Sequence, residues 1–169
     1  LVESMSGFAQ KHQRPVQCLE KCEWCCHQPI FALSYELDYL NSYVKNKTSL
    51  QKQQEIIKRA RQKHTQLEDL DRAAVLNAKF PCPCLRDGRC MVYEARPVAC
   101  RIYLSADVTT CIKFYNKPED KKNFPALLDL PMRLGRLMNT GFRSALKAGG
   151  IQTEEFRLED KILSGFLTF

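Results

Sequence analysis

Nine cysteines in two groups are the residues of this chain whose type and spacing favour a specific chemistry. The first group lies in the run CLEKCEWCC and consists of Cys18, Cys22, Cys25 and Cys26. The second lies in CPCLRDGRCMVYEARPVACRIYLSADVTTC and consists of Cys82, Cys84, Cys90, Cys100 and Cys111. Thiolates are the ligands that zinc and iron–sulfur clusters prefer in proteins. The two groups therefore indicate metal binding.

The spacing of the first group favours two sites rather than one. The C-x3-C-x2-C pattern of Cys18, Cys22 and Cys25 places three thiols on one tight loop, so a fourth ligand must come from elsewhere. Cys26 adjoins Cys25, and adjacent side chains usually diverge, which suits a pair that serves two metals. Eight thiols divide into two sets of four, and we expect each set to mix ligands from both groups.

Length and composition indicate one globular domain over residues 1–169 in a reducing compartment. Hydrophobic residues make up 44% of the chain and charged residues 27%, near globular averages. Nine cysteines are roughly 5% of the residues, below the ~8–10% of a short disulfide scaffold. Residues 1–10 do not resemble a signal peptide, and no run of ~18 apolar residues is present. We therefore expect a cytoplasmic protein without a membrane partner.

The hydrophobic pattern predicts a mainly α fold in which a long αα-hairpin, irregular metal-binding loops and C-terminal helices follow one another. Ser34 is a candidate N-cap of the first helix, and residues from about Thr48 to Asn77 predict one long second helix. The two cysteine groups then meet at the open end of the hairpin. The motif region is 18–111.

The remaining segments are predicted from their prolines and glycines. Residues 80–111 contain three prolines and Gly88, which favours loops and turns ordered by a metal. Residues 124–146 have helical spacing that Pro131 interrupts, and Gly149-Gly150 ends that region. The tail, 153–169, predicts a short helix or extended segment within a helical C-terminal part, 119–169.

The combined pattern resembles the YkgJ-type cysteine-cluster family of zinc- or iron-chelating domains. That family has a C-x3-C-x2-C-C start followed by C-P-x-L, G-x-C, Y-x-x-R-P, C-R and a last cysteine, which here spans residues 18–111. The resemblance implies eight metal ligands, namely Cys18, Cys22, Cys25, Cys26, Cys82, Cys90, Cys100 and Cys111. Cys84 stands where the family usually has an apolar residue. A packing residue, a substitute ligand and a reactive thiol are its three candidate roles, of which we favour the first.

The resemblance implies metal binding and leaves two main functions open. All-thiol ligation and the wide spacing of the second group favour one or two 4Fe–4S clusters with a redox or methyl-transfer-related role, and hence an iron–sulfur oxidoreductase with a redox or protein partner. The alternative is a zinc-binding structural or interaction module that uses the same cysteines. No nucleophile, general base or substrate is identified.

A nucleic-acid-binding zinc protein is the third hypothesis. It requires the basic residues of the run KRARQK, 58–63, to form one exposed face, whereas a charge run on a helix is usually simply solvated. The formal charge of +7 would fall to about +3 if eight thiolates held two dications or 4Fe–4S clusters. We therefore expect no nucleic-acid partner.

Five residues near the cysteines have predicted supporting roles. Gly88 permits a tight turn, and Pro97 fixes the backbone before Cys100. Arg96 and Arg101 are candidates for hydrogen bonds to sulfur or for ordinary ion pairs. Tyr93 is expected to pack. Of the histidines, His27 is an alternative ligand, whereas His12 and His64 are expected to be solvated.

Overall fold

Helices make up most of the structure, a computed structural model that describes residues 15–120 and 122–167. In that part of the chain the helices are α1 (Ser34–Lys47), α2 (Leu50–Leu67), α3 (Arg72–Asn77), α4 (Val98–Ile102), α5 (Val108–Asn116), α6 (Asp129–Ala148) and α7 (Leu158–Leu167). The strands are β1 (Phe31–Leu33), β2 (Leu85–Arg86), β3 (Arg89–Cys90) and β4 (Glu155–Arg157). The mainly α fold class is confirmed. None of the described helices is both long and apolar enough to cross a bilayer.

The core lies where α7 packs against both α1 and α2. Leu40 and Val44 of α1, Ile56 and Ala60 of α2, and Ile162 of α7 are almost completely buried there. Their spacing of three or four residues places them on one face of each helix. Strands β1 and β4 pair antiparallel and hold the start of α7 beside the start of α1. The predicted helical hairpin is therefore completed by a helix from the far end of the chain.

The prediction of one helix from Thr48 to Asn77 is wrong. Helix α2 ends at Leu67, and α3 begins at Arg72. The carboxylate of Asp71 accepts the N–H of Ala74 at 2.8 Å, which caps a new helix. The cap position of α1 also differs by one residue, because Leu33, not Ser34, precedes the first helical residue.

The region 80–111 is more regular than expected, because it contains two strands and the whole of α4. Strands β2 and β3 are joined by Asp87 and Gly88, whose φ angles are 50° and 75°. Two successive residues with positive φ form the tight two-residue hairpin turn that glycine favours. A Cβ at Gly88 would lie 3.2 Å from the Cβ of Lys21, so this turn packs directly on the first cysteine loop.

Pro131 does not interrupt the helix that follows. It is the third residue of α6, in the first turn, where its missing N–H would have no partner within the helix. Gly135 allows α6 to approach α4, because a Cβ at this position would clash with Ile102. Gly149 ends α6 as predicted, and the tail forms both elements named for it, an extended strand, β4, and a short helix, α7.

Candidate metal centre

All nine cysteines are free thiols, and the structure brings the two groups together. A cavity of about 720 Å³ is lined by the first cysteine loop, the turn at Gly88, β3 and α4. The cysteines that line it are Cys18, Cys22, Cys25, Cys26, Cys82, Cys84, Cys90 and Cys100. The N–H of Cys82 donates to the carbonyl of Cys26 at 2.7 Å, so the backbones of the two groups are joined directly.

Three thiols of a group of four lie near Tyr103. The group, here called the first thiol set, consists of Cys18, Cys22, Cys25 and Cys111. Burial raises the pKa of the Tyr103 hydroxyl to about 12, and the thiols of Cys111, Cys25 and Cys18 contribute to this shift. The hydrogen bond from Gln28, 3.1 Å long, opposes it. Tyr103 therefore marks the point at which three members of the set converge.

Cys18 connects the remaining member, Cys22, to this group. Burial raises the pKa of the Cys18 thiol, and the thiols of Cys22 and Cys111 raise it further. The N–H of Ser105 donates to the Cys18 sulfur at 3.2 Å and acts in the opposite direction. A backbone N–H directed at sulfur is a typical second contact of a metal-binding cysteine.

Helix α5 brings Cys111 to the first cysteine loop. The loop ends in a 3₁₀ turn, Trp24–His27, which packs against α5. The ring centroids of Trp24 and His27 each lie 5.2 Å from that of Tyr115. Because Cys111 lies one helical turn before Tyr115, this aromatic contact fixes the position of its thiol.

The second thiol set consists of Cys26, Cys82, Cys90 and Cys100. Burial raises the pKa of the Cys90 thiol to about 12, and the thiols of Cys82 and Cys26 raise it further. The pKa of Cys100 is raised by burial and by the same neighbours together with Cys90. Each set thus combines cysteines from both groups.

The two sets adjoin each other at Cys25 and Cys26. The thiol of Cys26 hydrogen-bonds to that of Cys25, and this contact is the main cause of its raised pKa. The adjacent side chains therefore diverge less than the sequence analysis assumed. Cys25 nevertheless lies near Tyr103 and the first set, whereas Cys26 lies near Cys82 and the second.

Cys84 is buried beside the second set and lines the same cavity. Its relative exposure is 1%, and it belongs to the same apolar cluster as Leu85 and Val92. The thiol of Cys84 hydrogen-bonds to Cys82, which lowers the pKa of the Cys82 thiol against the effect of burial. The positive charge of Lys63 acts in the same direction as this hydrogen bond. Cys84 thus packs in the core and contacts a candidate ligand.

Of the two arginines, only Arg96 faces the thiols. It lines the cavity, and its charge opposes the effect of burial on Cys90 and Cys100. Its guanidinium stacks 3.6 Å from the ring centre of Tyr93, which is exposed rather than packed in the core. Arg101 instead donates to the carbonyl of Arg96 at 2.8 Å, so it braces the turn before Cys100.

Glu36 of α1 positions α4, a contact that sequence reasoning missed. One carboxylate oxygen accepts the N–H of Leu33 at 3.1 Å, and the other accepts the N–H of Val98 at 2.7 Å. Val98 is the first residue of α4, and Pro97 precedes it as predicted. Since the first N–H groups of a helix have no partner within it, Glu36 supplies the acceptor and so fixes the helix that carries Cys100.

The basic run does not form one exposed face. Lys58 and Arg61 are exposed, but Lys63 is only 3% exposed. Arg59 is half-buried and donates to Glu55 and to the carbonyl of Leu85. The prediction that the whole run is solvated is therefore wrong.

The histidines lie outside both thiol sets or outside the described residues. His27 Nδ1 lies 3.1 Å from the carbonyl oxygen of Glu23, and its ring packs against Tyr115. His64 is half-buried beside Asp160, with Nδ1 2.8 Å from a carboxylate oxygen, so it is not simply solvated. His12 falls outside the described residues.

The side chains of this centre are donors that suit a zinc ion or an iron–sulfur cluster. The free thiols of the two sets are the donors that zinc and iron–sulfur clusters take. The N–H of Ser105 faces Cys18, and the charge of Arg96 acts on Cys90. Among the described residues, no three Cys, His, Asp or Glu side chains are arranged so as to hold a metal ion. Binding therefore requires the thiols to rotate toward a common centre.

Comparison with known proteins agrees with this geometry. The model of the CxxCxxCC family, described as "Putative zinc- or iron-chelating domain", matches residues 17–126. No curated protein and no solved structure matches the chain significantly. The matched segment contains all eight candidate ligands and Cys84. The chain therefore belongs to the CxxCxxCC family of zinc- or iron-chelating domains, the family that its cysteine pattern resembles.

Proposed function

We propose that the chain is an iron–sulfur protein in which each thiol set holds one 4Fe–4S cluster. The observation that carries this proposal is a cavity of about 720 Å³ that is lined by three thiols of the first set and all four of the second. Cys111, the fourth member of the first set, does not line the cavity and lies close to Cys18 and Cys22. A 4Fe–4S cluster takes four thiolates at the corners of a cube and needs room for the inorganic core. A zinc ion instead draws four sulfurs to ~2.3 Å from one point. The wide cavity favours the larger group.

The surrounding residues suit a redox role. A bound 4Fe–4S cluster supplies one-electron chemistry at a potential that hydrogen bonds to sulfur, local charge and solvent exposure adjust. The N–H of Ser105 at Cys18 and the guanidinium of Arg96 near Cys90 and Cys100 stabilise negative charge on sulfur. Cys82 is buried, which limits access of water to its thiol. These contacts support electron transfer more directly than a purely structural site.

The proposal implies a redox partner and a class of reaction. A redox partner protein would exchange electrons with the clusters in the cytoplasm. Methyl-transfer-related chemistry is the second role that the family resemblance implies. The described residues around the cavity include no assembled pair of acid and base groups to which a catalytic role can be assigned. The candidate metal ligands are therefore the residues on which any activity depends.

Reduction by dithionite tests the proposed redox role. Protein purified without oxygen should show a broad absorbance band near ~400 nm that loses intensity on reduction and recovers on reoxidation, because thiolate-to-iron charge transfer depends on the oxidation state. The measurement is a visible spectrum before and after each step, with the apoprotein as control. A colourless protein that holds zinc would contradict the proposal and favour the structural alternative.

A further inference from the structure

Two buried charged residues, Lys63 and Glu159, lie near Cys82 of the second thiol set. Lys63 of α2 donates from Nζ to the carbonyl oxygens of Gln28 and Phe80, both at 3.2 Å. Gln28 follows Cys26 by two residues, and Phe80 precedes Cys82 by two. One ammonium group thus ties together the backbones of both cysteine segments.

Glu159 of α7 is completely buried, and neither of its carboxylate oxygens has a hydrogen-bond partner among the described residues. Its cationic neighbours are Lys63 and Arg157, whose Nε lies 3.5 Å from Oε1. Burial raises the pKa of the Glu159 carboxyl, whereas the positive charges of Lys63 and Arg157 lower it. The two cations therefore stabilise the charged form of Glu159.

The charges of Lys63 and Glu159 both act on a thiol of the second set. The positive charge of Lys63 and the negative charge of Glu159 act on Cys82 in opposite directions. Both side chains are buried, so solvent screens their charges much less than it screens surface charges. Reduction of a cluster adds one electron and therefore one negative charge.

We propose that Lys63 and Glu159 set the reduction potential of the cluster held by the second thiol set, with opposite effects. Lys63 raises the potential, because a nearby positive charge stabilises the reduced and more negative cluster. Glu159 lowers the potential, because a nearby negative charge destabilises the reduced cluster. Both act as positioning and charge-setting residues, not as ligands. The inference rests on the proposed iron–sulfur function.

Opposite changes in potential test this role. At a fixed applied potential, Lys63→Met should lower the ratio of reduced to oxidised second-set cluster by about tenfold, or ~59 mV for one electron, and Glu159→Gln should raise it by a similar factor. Redox titration of the full chain, followed by absorbance and electron paramagnetic resonance, measures both. Lys63→Arg keeps the charge and should remain near the wild type, as should the control Lys58→Met on the exposed face of α2.

The outcomes separate this inference from the proposed function. If the wild type contains iron and sulfide but the two variants move the potential in the same direction or not at all, the role of the pair is disproved and the cluster assignment stands. If the wild type contains no iron and sulfide, the inference and the proposed iron–sulfur function are both disproved. Should Lys63→Met fail to fold, the nearly isosteric Glu159→Gln decides, since an unchanged or lowered potential contradicts the proposal.

Discussion

Replacing Cys100 by serine should remove about half of the bound iron and sulfide, because one of the two thiol sets then has three thiolates instead of four. Cys100 is the middle residue of α4 and belongs to the second set with Cys26, Cys82 and Cys90. The variant should also unfold more easily, since metal binding contributes directly to folding. Iron, zinc and sulfide per chain, measured after anaerobic purification, check this result.

Two further variants make the test specific. Cys22→Ser should remove the other half of the bound iron and sulfide, because Cys22 belongs to the first set. Cys84→Ala is the comparison variant, since Cys84 is more deeply buried than the candidate ligands and is predicted to pack rather than to bind metal. It should leave metal content unchanged. If Cys100→Ser binds as much metal as the wild type, Cys100 is not a ligand. If Cys84→Ala loses metal, the predicted packing role of Cys84 is wrong.

Replacing Glu36 by alanine should lower the free energy of unfolding by about 2–3 kcal/mol, because two hydrogen bonds to a charged acceptor are lost and two N–H groups are left without a partner. These N–H groups belong to Leu33 and Val98. Since Val98 begins α4, the variant should also release metal from the second thiol set to a chelator faster than the wild type. Urea denaturation and the rate of metal release are the two measurements.

Asp38→Ala is the control for this variant. Asp38 also lies on α1 and pairs with Lys161 at 3.0 Å, but its side chain is exposed. Exposed ion pairs contribute less than ~1 kcal/mol, so this change should have a small effect. Equal destabilisation by the two variants would show that the contact from Glu36 to α4 does not stabilise the fold.

The local features of the fold were the most predictable from sequence. Apolar residues such as Leu40 and Val44 recur at helical spacing, so their burial on one face follows from periodicity alone. Gly88 was recognised because a tight turn needs positive φ. The break between α2 and α3 does not follow from apolar periodicity, because it depends on Asp71 acting as an N-cap for the N–H of Ala74.

Contacts between distant segments could not be predicted in the same way. Lys63 belongs to a basic run typical of a solvated surface, and only the packing of α2 shows that it reaches Gln28 and Phe80. In the sequence, Glu36 is an ordinary acidic residue in the first turn of a helix. Only the structure shows that it accepts the N–H of Val98 in α4. The pairing of Cys111 with the first cysteine loop likewise depends on α5 and Tyr115. Such contacts leave no periodic signal in the sequence.

The iron, zinc and sulfide content of the protein tests the iron–sulfur proposal most directly. Iron, zinc and acid-labile sulfide should be measured per chain in the full-length protein purified without oxygen. Two 4Fe–4S clusters predict about eight iron and about eight sulfide per chain, with little zinc. About two zinc ions per chain without sulfide would contradict the iron–sulfur account and assign both thiol sets to structural zinc.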